Sequence, residues 1–149
     1  MGSFEGEAQS VKVLLDTNII VDNALEREPF WEISEQVLEL VEQKQVEGFI
    51  SASTFGDLYY IIRKVRGGDW TITCLRQLVT FCQVAAVDST TINMALTVNF
   101  RDFEDAIQYS TAVLNHLDAI VTRNPRDFPV TTPRIITPNQ LIQELIDTP

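Results

Sequence analysis

The sequence predicts an α/β fold of three αβα layers, in which a central parallel sheet of four to five strands is flanked by about seven helices. Short apolar runs alternate with segments of helical periodicity along the chain, which is typical of parallel strands joined by crossover helices. The length of 149 residues suits one domain, and no repeat or linker interrupts the alternation. We therefore expect an N-terminal tail over residues 1–10 and a single domain over residues 11–149.

The predicted strands are short and rich in β-branched and other apolar residues. The first, residues 11–15, consists mainly of valine and leucine and stands directly before Asp16. Three more strands are predicted over residues 48–51, 84–87 and 119–122, and residues 134–136 add a fifth.

The predicted helices begin and end at recognisable residues. Asp88 and its two neighbours form a capping cluster, Gly67-Gly68 ends the third helix, and Thr137-Pro138 with Gln140 signals the last one. In the sixth helix, apolar and small residues recur at helical spacing and predict one buried stripe. The stripe consists of Phe103, Ala106, Ile107, Ser110, Val113, Leu114 and Leu117. The predicted ranges are 17–27, 29–45, 54–66, 70–81, 89–98, 103–117 and a final helix from residue 138.

The composition excludes several classes of protein. No apolar run reaches the length of a membrane span, and the acidic N-terminus lacks the basic start of a secretory signal. Cys74 and Cys82 lie eight residues apart in one predicted helix, too far apart for a disulfide, so free thiols and a cytoplasmic location are expected. Two cysteines and one histidine do not make a zinc site. The net charge of −10 is unusual for a protein that binds nucleic acid by phosphate contacts alone, unless bound cations reverse the local charge.

Four aspartates stand at the edges of core elements. Asp16 follows the first strand, at the edge where open parallel sheets bind ligands, although it would equally cap the next helix. Asp102 and Asp105 are three residues apart on the first turn of the sixth helix, where acids also complement the helix dipole. Asp57 is read as a mid-helix aspartate, a poor helix former that is most often simply solvated. If these acids converge, their hard oxygens suit Mg²⁺ or Mn²⁺.

Four short motifs resemble those of the PIN domain family in the same order. They are LLDTNIIVD at residues 14–22, SASTFGDL at 51–58, DFEDA at 102–106 and VTRNPRDF at 121–128. The resemblance covers nearly the whole chain from residue 11 to about residue 147. It implies the same parallel-sheet fold, and a metal-dependent ribonuclease such as the VapC-like toxins of toxin–antitoxin pairs.

The resemblance also implies roles for individual residues. Asp16, Asp57 and Asp105 match catalytic and metal-binding acids, although many family members have glutamate at the position of Asp57. Asn124 falls where many members have a fourth acid, so Asp102 or Asp127 is a nearby substitute. The predicted metal ligands are therefore Asp16, Asp57, Asp105, Asn124 and Asp102. Asn18 and Thr122 match polar positions that orient these ligands, and the predicted phosphate contacts are Arg101, Arg123 and Arg126.

The implied function is hydrolysis of RNA phosphodiesters with Mg²⁺ or Mn²⁺ as cofactor. RNA is the implied substrate, an antitoxin protein is an implied partner, and a homodimer is expected because family members often pair. The alternative is a PIN-like module that binds RNA or protein without catalysis, since the residues at positions 57 and 124 depart from the family pattern. A phosphotransferase of the haloacid dehalogenase type is excluded, because it requires an aspartate where this sequence has Asn18.

Overall fold

Five parallel strands form the centre of the computed structural model, which describes residues 10–147. The sheet order is β3-β2-β1-β4-β5, so β1 lies in the middle. The strands are β1 (Lys12–Leu15), β2 (Glu47–Ser51), β3 (Gln83–Ala85), β4 (Ala119–Val121) and β5 (Arg134–Ile136). The predicted parallel sheet and its fifth strand are confirmed. Most of the predicted tail, residues 1–9, lies outside the described residues.

The described part of the chain has seven α-helices, of which the last follows β5. They are α1 (Thr17–Ala24), α2 (Trp31–Glu42), α3 (Thr54–Arg66), α4 (Gly68–Phe81), α5 (Ser89–Thr97), α6 (Phe103–Leu114) and α7 (Pro138–Asp147). A short 3-10 helix, Pro125–Asp127, follows β4. Of these helices, none combines the length and the apolar character that a membrane span requires.

The central strand β1 divides the core into two layers. Val13, Leu14 and Leu15 are all fully buried, and successive side chains of a strand point to opposite faces. Val13 and Leu15 pack in the larger cluster, which holds residues of α1, α2, α3, α4 and α7. Leu14 packs in a smaller cluster with Ala112 of α6. This alternation produces the predicted three-layer arrangement.

Three helices are shorter than predicted because the backbone turns into the left-handed region near their ends. The helix α1 ends at Ala24, and Glu26 just beyond it has a φ of 51°. The helix α2 ends at Glu42, before Lys44 with a φ of 63°. The helix α6 ends at Leu114 rather than at residue 117, before His116 with a φ of 57°. Left-handed residues cannot continue a right-handed helix.

The predicted buried stripe of α6 is wrong at two of its seven residues. Phe103 is 47% exposed and Leu114 is 37% exposed, whereas the polar Gln108 and Thr111 are buried. The first turn of α6 overhangs a polar cavity rather than the core, so its apolar residue is left in solvent. Cys74 and Cys82 are free thiols, as predicted.

Two glycines provide a test of packing between β2 and α2. A Cβ on Gly48 would lie 2.9 Å from both methyl groups of Val41, whereas a Cβ on Gly56 in α3 would meet nothing within 4 Å. We expect Gly48→Ala to lower the free energy of unfolding by about 1–3 kcal/mol through overpacking. Gly56→Ala should raise it by about 0.5–1 kcal/mol, because alanine loses less backbone entropy in a helix. Urea denaturation of both variants measures this, and equal effects would contradict the packing described.

Candidate metal centre

Asp16 occupies the end of the central strand and also caps the helix that follows it. Its backbone N–H donates to the carbonyl of Val121 at 3.0 Å, which extends the pairing of β1 with β4. Its side chain caps α1, because Oδ1 accepts from the N–H of Thr17 at 2.9 Å. The residue is only 7% exposed, so a carboxylate stands against the apolar core.

Three elements supply donors to the Asp16 carboxylate. Thr122, just after β4, donates from Oγ1 to Oδ2 at 2.8 Å. Gln108 of α6 donates from Nε2 to Oδ1 at 3.3 Å, and the same nitrogen lies 3.4 Å from the hydroxyl of Thr54 in α3. Burial raises the pKa of Asp16, and these hydrogen bonds together with that of Thr17 oppose the rise. The hydrogen bonds hold the carboxylate in one orientation.

Six carboxylate side chains line one cavity of about 510 Å³ around Asp16. Uncharged polar residues complete the wall, and no basic residue of the described chain lines it. The acids are Asp16, Asp57, Asp102, Glu104, Asp105 and Asp127, and the polar residues are Thr17, Asn18, Ser53, Thr54 and Gln108. The cavity therefore concentrates negative charge without a cationic side chain to compensate it.

Burial and the neighbouring carboxylates raise the pKa values of two acids in this cavity. The pKa of Asp105 is raised to about 7, first by burial and then by the neighbouring carboxylates of Asp102, Asp16, Asp127 and Glu104. The pKa of Glu104 is also raised, by partial burial and by the charges of Asp57 and Asp102. A bound cation would relieve the same repulsion.

The residues present fit a hard divalent cation by their chemistry. Within residues 10–147, no three histidine, cysteine or acidic side chains are arranged to hold one ion directly. Mg²⁺ does not require three, because it commonly keeps several waters and binds through one or two carboxylates. Gln108 Oε1 adds a buried oxygen that has no hydrogen-bond partner in the described part of the chain. The cavity thus provides carboxylate and amide oxygens, the donors that Mg²⁺ and Mn²⁺ prefer.

The structure brings most of the predicted metal ligands together but changes two local descriptions. Asp57 lies in the first turn of α3 and is exposed, so its description as a mid-helix residue is wrong. Asp102 is the N-cap of α6 and accepts from the N–H of Asp105 at 3.1 Å, so it precedes the first turn. Asp16 and Asp105 line the same cavity, as does the predicted orienting residue Asn18.

The residue at the position of the fourth family acid, Asn124, does not line the acidic cavity. Asn124 is exposed, and its backbone N–H donates to Thr122 Oγ1 at 3.0 Å. Asp127 lies three residues later and does line the cavity. Its charge contributes to the raised pKa values of Asp16 and Asp105. Metal binding by Asn124 stays a prediction, and Asp127 is the nearer source of a fourth carboxylate.

The three predicted phosphate contacts separate into two groups. Arg101 and Arg126 line a second cavity of about 660 Å³, which shares Asp102, Asp105 and Asp127 with the acidic one. Arg123 lines neither cavity and is paired with Asp22 instead, with 2.7 Å between Nε and Oδ2. The structure therefore places two of the three arginines beside the acids.

Sequence reasoning did not identify Glu104 and Gln108, which both line the acidic cavity. Glu104 stands between Asp102 and Asp105, and its charge alone would also suit the start of a helix. Gln108 follows Asp105 by three residues, so helical spacing places both on one side of α6. That spacing was a usable signal, but the prediction of an apolar stripe passed over the glutamine.

Comparison with known proteins gives a family and a fold. A family model described as PIN domain matches residues 12–126. A search of curated proteins found no match.

Several solved structures share the fold at low identity. A toxin–antitoxin complex from Klebsiella pneumoniae contains a chain with a TM-score of 0.65 and 23% identity, over 85% of this chain and 97% of that one. A DNA-bound VapBC from Salmonella typhimurium gives 0.64 and 19%, over 86% and 98%. VapC20 from Mycobacterium tuberculosis, a sarcin–ricin loop cleaving toxin, gives 0.58 and 12%, over 72% and 86%. At these identities the likeness concerns the fold alone.

Repulsion among the acids predicts a pH-dependent stability of the metal-free protein. Because the pKa of Asp105 is about 7 in the folded chain and 3.8 as a model value, folding takes up a proton between these values and stability falls as the pH rises. Asp105→Asn removes this loss. In EDTA at pH 8 the variant should be more stable than the wild type by about 1–2 kcal/mol, a figure discounted for solvent screening.

Denaturation at pH 5 and pH 8 provides the comparison. The advantage of Asp105→Asn should shrink at pH 5, because the Asp105 carboxyl of the folded wild type is then mostly protonated and no longer repelled by its neighbours. Glu39→Gln, which changes an exposed carboxylate on α2, is the matched control. An advantage that does not depend on pH would contradict the assignment.

Proposed function

The chain belongs to the PIN domain family, and from that premise we propose that it is a divalent-metal-dependent endoribonuclease. The observation that carries the proposal is the convergence of six carboxylate side chains on one cavity around the buried Asp16. An acidic cavity repels RNA unless cations occupy it, so a role for these acids in RNA cleavage requires a metal. Mg²⁺ and Mn²⁺ are the ions that suit this donor set.

The proposed division of labour follows the positions of the side chains. Asp16, Asp57 and Asp105 hold the metal, with Asp127 and Glu104 on the same cavity wall. The metal supplies Lewis acidity, which lowers the pKa of a water and neutralises charge on the scissile phosphate. Thr122 and Gln108 keep the Asp16 carboxylate in one orientation through their hydrogen bonds. Asp105 must lose its carboxyl proton to bind a cation, because its pKa is about 7 in the free protein.

The proposal includes partners and a location for the protein. An antitoxin protein is supported by solved toxin–antitoxin complexes that share the fold. A homodimer is supported by the exposed apolar side chains of α3, where Tyr60 is 60% and Val65 is 65% exposed. Free thiols at positions 74 and 82 support a cytoplasmic location. We also propose that residues 11–149 form one domain.

The alternative function is a PIN-like module that binds RNA or protein without cutting RNA. The observation that favours it is that no three metal-binding side chains of residues 10–147 are arranged around one point. Calorimetric titration with Mn²⁺ distinguishes the two functions. Binding that is lost in Asp16→Asn supports the nuclease, and no binding in the millimolar range supports the module.

The decisive variant is Asp16→Asn. Asparagine is a good helix N-cap, so it keeps the hydrogen bond to Thr17 while it removes the charge. We expect cleavage of single-stranded RNA in Mn²⁺ to fall roughly 100-fold or more, since even residues that support a metal ligand cost about 10–100-fold. The midpoint of thermal unfolding should not fall. Cleavage at the wild-type rate would show that the site is assigned wrongly.

Arg101 and Arg126 are proposed to contact the phosphates next to the scissile one. Each contact that is lost should reduce the slope of log affinity against log salt by about 0.7 for single-stranded RNA. The measurement uses an RNA analogue with non-cleavable linkages, bound in the presence of Mg²⁺ to protein in which Asp16 is intact. Arg76→Ala, an exposed arginine on α4, is the control. An unchanged slope in both Arg101→Ala and Arg126→Ala would exclude these contacts.

A further inference from the structure

An ion pair links α1 to the segment that follows β4. Asp22 is 1% exposed, and its carboxylate accepts from Nε of Arg123 at 2.7 Å and from a terminal nitrogen of the same guanidinium at 3.3 Å. The guanidinium carbon also lies 4.2 Å from the ring centroid of Phe30, which directly precedes α2. The two charged residues are 101 positions apart in the sequence.

This pair fixes the direction in which Arg123 points. Its side chain lines a cavity of about 200 Å³ with Phe30 and Ile33 and does not line the acidic cavity around Asp16. A buried carboxylate that loses its partner is costly, so Asp22 retains the guanidinium. Arg123 is therefore unsuited to the phosphate contact that its place in the sequence suggests.

The residues on either side of Arg123 belong to the acid site. Thr122 donates to Oδ2 of Asp16, and the N–H of Asn124 donates to the same threonine oxygen. Asp127 follows at the wall of the acidic cavity. Arg123 therefore lies within a segment whose neighbouring residues contact Asp16 or line its cavity.

We propose that Asp22 and Arg123 are positioning residues, whose ion pair holds residues 122–127 so that Thr122 and Asp127 face Asp16. The proposal rests on the proposed function, because the site that is positioned is the metal site. Two other roles are distinguishable from it. Arg123 could contact RNA directly, or the pair could stabilise the fold without any effect on the site.

The first experiment is hydrogen exchange in the metal-free protein, which does not depend on activity. In Asp22→Asn and Arg123→Ala, the amide of Asn124 should exchange at least about tenfold faster than in the wild type, because the segment opens locally. Arg134→Ala is the matched control, since it breaks the ion pair between β5 and α7. It should leave the amide of Asn124 unchanged. Unchanged exchange in Asp22→Asn and Arg123→Ala would overturn the proposal.

The second experiment measures cleavage and binding of single-stranded RNA in Mn²⁺. In Arg123→Ala, kcat should fall about 10–100-fold, while KM and the salt dependence of binding stay at wild-type values. Arg126→Ala should show the opposite pattern, with weaker binding and a smaller salt slope. The double variant Asp22→Asn/Arg123→Ala should be no slower than the slower single variant, because both changes remove one interaction.

Two results would overturn the positioning role. A reduced salt slope in Arg123→Ala would identify a phosphate contact, and lower stability with unchanged kcat would identify a purely structural pair. If Arg123→Ala does not fold, Arg123→Lys retains the charge beside Asp22 but loses the two-pronged geometry. That variant should keep stability close to the wild type with a partial loss of kcat, and full kcat would contradict the proposal. If the wild type cuts no RNA, the proposed function fails, while hydrogen exchange still decides about the ion pair.

Discussion

The burial of the Asp16 carboxylate at the end of the central strand is the constraint on which the rest of the site depends. A charge that is 7% exposed beside fully buried leucines requires donors or a cation. The sheet brings Thr122 to it from β4, and α6 brings Gln108 from the opposite layer. Because each donor belongs to a different part of the fold, the orientation of the carboxylate depends on how the strands and helices pack together.

The distribution of charge is compatible with the RNA substrate that we propose for this acidic protein. The chain has 21 acidic and 11 basic residues, and six of the acids share one cavity. Two arginines stand at its edge, while Arg123 neutralises the buried Asp22 and Arg134 pairs with Glu144. Negative charge is therefore concentrated where the proposed cation would bind, and the two arginines beside it lie where they would meet the phosphates of the proposed substrate.

The sequence was most informative where structure is decided within a few residues. The strand at residues 134–136 and the cap formed by Thr137 and Gln140 were predicted correctly, because both depend on local pattern and local hydrogen bonds. Helix ends near Glu26 and Lys44 were placed too late, since their left-handed backbone has no glycine to announce it. Asp57 was described as a mid-helix residue although the predicted start of the helix at residue 54 is correct, and that start places Asp57 in the first turn.

The sequence by itself was sufficient to predict the parallel sheet, the family and three acids that line one cavity, Asp16, Asp57 and Asp105. Periodicity and the order of motifs are properties of the linear sequence, so these features could be read without the fold. Only the tertiary structure decided which other groups join them. Glu104 and Gln108 line the cavity because of the orientation of α6 about its axis. Arg123 does not line it, because its guanidinium is paired with Asp22, which is 101 residues away in the sequence. Asp16 was an open choice between helix cap and metal ligand in the sequence. In the folded chain it caps α1 and also lines the acidic cavity, because β1 ends where three helices and the β4 segment meet.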